Sequence, residues 1–482
     1  MVGRLGFAAL AVLGLITGPA AAAEQRLNVV VLLADDLGWT GLKCFGSDFY
    51  ETPQLDQLAR TGMLFTDAYA ACTVCSPTRA SLMTGMYPAR LHLTDFIAGQ
   101  NRPWAKLQIP EWTPGLKNQY VTIAEALKDA GYATAHVGKW HLSFPSSMDR
   151  QPSGPEHHGF VESHMKPKGT RGYRLPRGFN RTGESGSDYL TDYLTDQALA
   201  VIDRHQDRPF FLYFAYHTPH TPIQGRPDLV KAMSSKVRKN AVHKNPEYAA
   251  MVASLDSSVG RIRQRLEQRG IADRTVVIFT SDNGGLTQRY GRHDGFTDNL
   301  PLRRGKGSAY EGGVRVPTII HWPGVTPAGS VCRVPVISMD YYPTILEIAG
   351  VSGDRQHNTH VDGRSIVALL KDPTTTMERS LFWHYPHYHA GGDSPYSAVR
   401  VGNWKLIEFH EGPELALYDL RQDPGESRNL ARQMTQKTTA MHGRLQDWRR
   451  RVGAQMTRRN PDYDPARAGK VRRAAGNRKS GS

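Results

Sequence analysis

Apolar positions along the chain fall into two periods, and together they predict a parallel sheet covered by helices. The stretch 27–33, Leu-Asn-Val-Val-Val-Leu-Leu, is almost continuously apolar and β-branched, and 209–216 and 275–280 repeat the pattern. A strand without polar alternation is one buried on both faces, as inside a parallel sheet. The segment 132–137 reads as another strand and 63–65 as a short one. Between them the period changes. Tyr248, Met251, Val252, Leu255, Val259, Ile262 and Leu266 recur at helical spacing, so this stripe is the core face of a long helix. A further helix is expected over 188–205, and another from Thr52-Pro53 to Arg60. Thr122-Ile123-Ala124-Glu125 is a capping box opening a helix that stops at Gly131. The stretch 145–187, rich in Pro, Gly, Ser and charge, reads as a long loop. Composition shifts at Lys371-Asp372-Pro373-Thr374, where a domain boundary is expected. Beyond it, short strands at 381–385, 397–401, 405–408 and 415–420, then a helix to Trp448, predict a small antiparallel sheet with one helix.

Composition adds compartment and partners. Arg4, the apolar run 5–16 and Ala21-Ala22-Ala23 form a secretory signal, so residues 1–23 are expected to be removed and the protein to be periplasmic or secreted. No other stretch is long and apolar enough for a membrane span. Four cysteines in 482 residues are too few for a disulfide framework. A net charge of +15 favours acidic partners, but no nucleic-acid module is recognisable. The chain thus divides into a domain over 24–372, a subdomain over 373–455 and a basic tail over 456–482, expected to be disordered.

Chemistry gathers where strands end. The first strand runs into Asp35-Asp36, the second long one into Gly138-Lys139-Trp140-His141, the third into His217 and His220, and the fourth into Asp282-Asn283. Carboxyl ends of strands are where open α/β sheets bind ligands. Paired carboxylates with an amide oxygen offer hard ligands that suit Ca²⁺ or Mg²⁺ better than zinc. Lys139 and His141, two apart on an extended chain, would point to one side. In Cys75-Ser76-Pro77-Thr78-Arg79-Ala80-Ser81-Leu82-Met83-Thr84-Gly85, Pro77 suits a first helical turn and Gly85 a helix end, which puts Cys75 at the N-terminus, where free N–H groups favour anions. Cys72 and Cys75 have redox-pair spacing but no thioredoxin-like context.

The Cys-any-Pro-any-Arg motif followed by Thr84-Gly85 resembles the signature of the type I, formylglycine-dependent sulfatases, and the other strand-end motifs follow in that family's order. The likeness is to secreted bacterial enzymes of the arylsulfatase A and N-acetylgalactosamine sulfatase type. It implies an alkaline-phosphatase-like α/β fold, a mixed sheet sandwiched by helices, with the smaller α+β subdomain at the C-terminus. It also implies that a maturation enzyme converts Cys75 to formylglycine, whose hydrated aldehyde is the nucleophile, held by Arg79. One divalent ion, Ca²⁺ ahead of Mg²⁺, would be bound by Asp35, Asp36, Asp282, Asn283 and residue 75. Lys139 and Lys306, the latter in Arg303-Arg304-Gly305-Lys306-Gly307, would bind sulfate; His220 would be the general acid, Asp282 and His141 would take protons, and His217 would stand in second line. The substrate would be a sulfated carbohydrate or an aryl sulfate. The run Trp383-His384-Tyr385-Pro386-His387-Tyr388-His389 suggests sugar contacts by His384, Tyr385 and His387, with a core strand as the other reading. Two rivals accompany the sulfatase: a phosphodiesterase or phosphonate hydrolase of the same superfamily, and a sulfated-glycan binding protein whose Cys75 stays unmodified.

Overall fold

The computed structural model describes residues 26–145, 152–180, 183–287, 295–412 and 414–470. The expected signal segment 1–23 and the end of the tail, 471–482, lie outside the described residues.

The apolar runs become the middle of one mixed sheet. Its strands are β1 (Asn28–Ala34), β2 (Met63–Phe65), β3 (Ala133–Gly138), β4 (Glu162–His164), β5 (Phe210–Ala215), β6 (Thr275–Ser281), β7 (Thr318–His321) and β8 (Ser330–Cys332). They lie in the order β8-β2-β7-β6-β1-β5-β3-β4, and all neighbours are parallel except β7, which runs against both β2 and β6. Every residue of β1 is buried. Val30, Leu32 and Ala34 face one core, packed by α1 (Pro53–Thr61) and the long helices Leu190–His205 and Pro246–Gln268. Val29, Val31 and Leu33 face a second core with α2 (Cys75–Thr84), α3 (Ile123–Asp129) and the helix Tyr341–Ile348. The missing alternation in the sequence therefore reports helices on both sides, and each such buried Val or Leu contributes about 1.5–3 kcal/mol relative to exposure. The capping box at α3 forms as expected, Thr122 Oγ1 accepting from Glu125 N and Glu125 from Thr122 N.

Two expectations need correction. The stretch 145–187 is not loop throughout, because Glu162–His164 adds an edge strand to β3. Its polar sequence gives no apolar signal, and Glu162 is held instead by Arg204, His164 and His205. The tail is also ordered further than composition suggested. Arg458 and Arg459 pair antiparallel with Gln108 and Leu107, Asn460 donates to the carbonyls of Pro103 and Ala105, and Arg467 lies over the Trp104 ring.

The C-terminal strands β9 (Ser380–Tyr385), β10 (Tyr396–Val401), β11 (Trp404–Phe409) and β12 (Glu414–Asp419) form an antiparallel sheet in chain order, backed by the helix Thr435–Val452. A third core joins this sheet to the segment leading into α2, where Tyr69, Ala71, Cys72 and Val74 meet Leu381, Trp383, Tyr396 and Leu406. A charged cluster seals the joint. Lys405 of β11, fully buried, reaches Glu311 at 2.9 Å and Glu426 at 3.2 Å, and Glu426 also accepts from the Glu311 N–H at 2.6 Å. Replacing Lys405 with Met is expected to leave the buried Glu426 without its cation and Glu311 with Arg315 alone, at 3.6 Å, and to cost about 3–5 kcal/mol, read as a lower denaturant midpoint in urea titration. An unchanged midpoint would show that the cluster contributes no net stability.

Candidate active site

The register of the sheet sets the site. Gly138 pairs with Ala215, Ala215 with Leu33, and Ala34 with Ser281, so four adjacent parallel strands end at one level. Backbone bonds lock the segments beyond them: Asp35 N to Thr218 O, Lys139 N to Ala215 O and Asp282 N to Ala34 O. Asp35, Asp36, Lys139, His141, His217 and His220 all open into one cavity of about 390 Å³, joined by Cys75 from the N-terminus of α2 and by Lys306. α2 has the expected ends, with Gly85 in the left-handed region donating to Ser81 O.

Lys139 and His141 reach the cavity by a turn rather than by the parity of an extended strand. Gly138 has φ of +100°, and a Cβ there would lie 2.0 Å from Ala215 O, so only glycine fits. His141 itself is left-handed, at φ +58°.

Cations and carboxylates interlock around Cys75. Arg79, one helical turn after it and fully buried, donates from Nε at 2.9 Å and from a terminal nitrogen at 2.6 Å to Asp282 Oδ2, and its other terminal nitrogen bonds Lys139 O. Lys139 Nζ is 2.6 Å from Asp35, and Lys306 Nζ lies 2.7 Å from Asp36 and 3.6 Å from Cys75 Sγ. Burial would raise Asp35, but Lys139, His220, Arg79 and Lys306 hold it well below the usual carboxylate range, and Asp36 is lowered in the same way by Lys306 and His220. Burial pushes the Cys75 thiol up to about 11 despite Lys139 and Lys306, so a thiol here is protonated and a poor nucleophile near neutrality.

The histidines are oriented by carbonyls. His141 donates its Nε2–H to Ile97 O, which leaves Nδ1 as the lone-pair nitrogen; that atom is buried without a hydrogen-bond partner. Burial followed by Lys139 lowers His141 to about 3, so it is neutral. His220 donates Nδ1–H to Thr221 O at 2.7 Å and turns Nε2 toward Asp36, 3.7 Å away. Burial lowers His220 as well, with Asp36 opposing. His217 is held well below its ordinary value by burial and then by Lys139.

The residues present fit a cation. Asp35 Oδ1 and Asn283 Oδ1 are buried acceptors with no hydrogen-bond partner, and donor atoms of Asp35, Asp36, Cys75 and His220 lie within 4.8 Å of one another. Asp282 is not part of that closest group and is not on the cavity wall. Its Oδ1 accepts from Asp36 N and its Oδ2 from Arg79.

The aromatic-histidine run corrects another expectation. His384 is bonded to Ser397 and Gln455 O, Tyr385 donates to Asp95, and His387 pairs with Thr94; all three are buried outside the cavity. His389 of the same run does line it, as do Phe96, Ile97, Gln100, Thr221 and Leu286. Gly307, at φ +85°, makes room for the His389 ring, since a Cβ there would meet it at 2.1 Å. The segment 96–100 carries no periodic pattern, so only its position next to the motif helix could have pointed to it.

Strand ends loaded with charge under a helix N-terminus define an α/β enzyme that acts on anionic esters. Residues 27–351 match the Sulfatase family, and residues 305–451 match the N-sulphoglucosamine sulphohydrolase C-terminal family. The chain is 33% identical to human arylsulfatase A, over 84% of this chain and 83% of that protein. It is 34% identical to N-acetylgalactosamine-6-sulfatase of Canis lupus familiaris, over 80% and 72% respectively. Among solved structures it is similar to Ps i-CgsB, with 27% identity, a TM-score of 0.73 and 91% of this chain against 95% of that one; that protein has also been solved with k-i-k-neocarrahexaose. The chain belongs to the sulfatase family, in its arylsulfatase A and N-acetylgalactosamine-6-sulfatase type, and is a sulfuric ester hydrolase with the alkaline-phosphatase-like fold. No described helix is long and apolar enough to cross a membrane.

Proposed function

We propose that this sulfatase hydrolyses sulfate esters of carbohydrates, with Cys75 oxidised to formylglycine by a maturation enzyme and a calcium ion held by Asp35, Asp36, Asp282 and Asn283. The observation that carries the reading is the setting of Cys75: a helix N-terminus and two ammonium groups surround a position where the thiol itself stays protonated. The oxidised residue would supply paired hydroxyls, and the ion would supply positive charge to the ester sulfate. The chain supplies the rest. Lys139 and Lys306 bind the sulfate oxygens and neutralise charge that builds on them in the transition state. His220, with Nδ1 fixed on Thr221 O, delivers a proton from Nε2 to the departing alcohol, and the nearby Asp36 favours the charged ring that this requires. His141 receives a proton at Nδ1, the nitrogen left free by Ile97 O. Arg79 and Asp282 brace these strand ends beneath residue 75.

A carbohydrate is favoured by the cavity wall, which mixes hydrogen-bonding groups of His389, Gln100 and Thr221 with apolar Phe96, Ile97 and Leu286, and by the sugar-bound neighbour Ps i-CgsB. Sulfate release from a panel of defined sulfated saccharides, run beside 4-nitrophenyl sulfate, tests the reading. At least one saccharide is expected to exceed the aryl ester in kcat/KM by about a hundredfold, the return on contacts to the sugar. Turnover of the aryl ester alone would overturn the carbohydrate assignment, and faster cleavage of phosphodiesters would favour the superfamily rival.

A further inference from the structure

A second cavity, of about 720 Å³, opens between the catalytic domain and the C-terminal helix and shares no lining residue with the active site. Tyr87 and Arg90 on its wall follow the C-terminal end of α2, whose ten residues span about 15 Å from Cys75. The walls carry Arg90, Arg364, Arg379, Arg444, Arg450 and Arg451 against only Asp362 and Asp447. Arg90 pairs with Asp362, Arg450 with Asp447, and Arg379 with Asp340 behind the wall. Arg364, Arg444 and Arg451 make no ion pair among the described residues, and all three are exposed.

Two donors beside this cavity are buried without a partner. Trp448 is 3% exposed and its Nε1–H has no acceptor; the Arg379 side chain is 7% exposed and its Nε–H has none either. The floor is rigid: Trp448 stacks on Phe382 at 4.8 Å with an interplanar angle of 2°, and Tyr87 closes edge-on at 5.0 Å. A cavity lined by exposed guanidinium groups without ion pairs, around an aromatic floor, takes oxyanions carried on a chain.

We infer that this cavity is a non-catalytic docking site for sulfate groups of a sulfated polysaccharide, which tethers the polymer while another sulfate enters the active site. The choice of a sulfated glycan over other polyanions rests on the substrate class proposed above. Arginine suits the role because its planar fork meets two sulfate oxygens at once.

The test uses the triple variant Arg364→Ala, Arg444→Ala, Arg451→Ala in the full-length protein, with dextran sulfate, neutral dextran and duplex DNA as probes in affinity electrophoresis at fixed salt. Wild-type protein is expected to be retarded by dextran sulfate and not by dextran, and the variant to bind at least about tenfold more weakly. Turnover of 4-nitrophenyl sulfate is expected to be the same in both proteins, which shows that the variant is folded and the catalytic cavity intact. Equal binding of dextran sulfate by wild type and variant would overturn the site. DNA binding as tight as dextran sulfate, and equally lost in the variant, would overturn the assignment to sulfated glycans. Arginine-dependent binding in a protein that releases no sulfate from any saccharide would leave the docking site standing and overturn the carbohydrate-hydrolysis reading instead.

Discussion

Protein produced without a formylglycine-generating maturation enzyme is expected to fold normally and to lose activity by at least about a thousandfold. The physical reason lies in the thiol at position 75: burial keeps it protonated, and even as a thiolate it could not present the two hydroxyls that attack and release require. Cys75→Ser should fail in a different way. Its Oγ can attack sulfur while the S–O bond to the alcohol breaks and His220 protonates the alcohol, but the resulting serine sulfate has no second hydroxyl whose proton His141 could remove. One equivalent of alcohol should therefore be released and the sulfate retained. Mass spectrometry of the peptide spanning Thr73 to Arg79 distinguishes thiol, aldehyde and sulfated serine. A fully active protein carrying only thiol at position 75 would refute the mechanism.

Asp35→Asn should be nearly as damaging, with kcat lower by about three orders of magnitude. The substitution removes the charge that faces Lys139 at 2.6 Å and Arg79 at 3.7 Å, and it weakens a site whose unpartnered oxygen is Asp35 Oδ1. Lys139 loses its ion-pair partner while Arg79 keeps Asp282, so stability should fall by about 3–5 kcal/mol while the fold survives. Equilibrium dialysis should show one calcium per wild-type chain and none in the variant. Full wild-type activity after exhaustive chelation, with no metal found by elemental analysis, would sink this picture. Zinc at two ions per chain would point to a phosphatase-like enzyme.

What could be read from the chain was whatever a period or a fixed motif records. β1, β5 and β6 are legible because helices cover both faces of the sheet, and the turn from each into Asp35, His217 or Asp282 marks the strand ends as the place of the chemistry in the sequence itself. Parity misled where the backbone leaves the strand. Gly138 and His141 swing Lys139 and His141 into the cavity through left-handed turns. The run 383–389 misled for another reason. Alternating polar residues normally mark a solvated face, but β9 lies between the Thr435–Val452 helix and the catalytic domain; His384 of β9 bonds Ser397 and Gln455 through its two nitrogens, and His387 just beyond it bonds Thr94 through Nε2. Pairing of Arg458 and Arg459 with Leu107 and Gln108 rests on backbone bonds alone, which composition does not record.

The Lys405 cluster also bears on how such a chain can be recombined. Glu311, which it clamps, lies five residues beyond the cavity-lining Lys306, and the cluster's other anion, Glu426, comes from beyond the C-terminal sheet. His389 comes from that half of the chain too, yet stands on the wall of the catalytic cavity. A graft that swapped only residues after 372 between two relatives would separate Glu311 from the lysine that neutralises it and would pair one parent's Lys306 loop with the other's cavity wall. The match beginning at residue 305 marks a better seam, since a segment exchanged from there carries the loop, its buried counter-charge and His389 together. Substrate preference and interdomain cohesion would then pass between relatives as one heritable block.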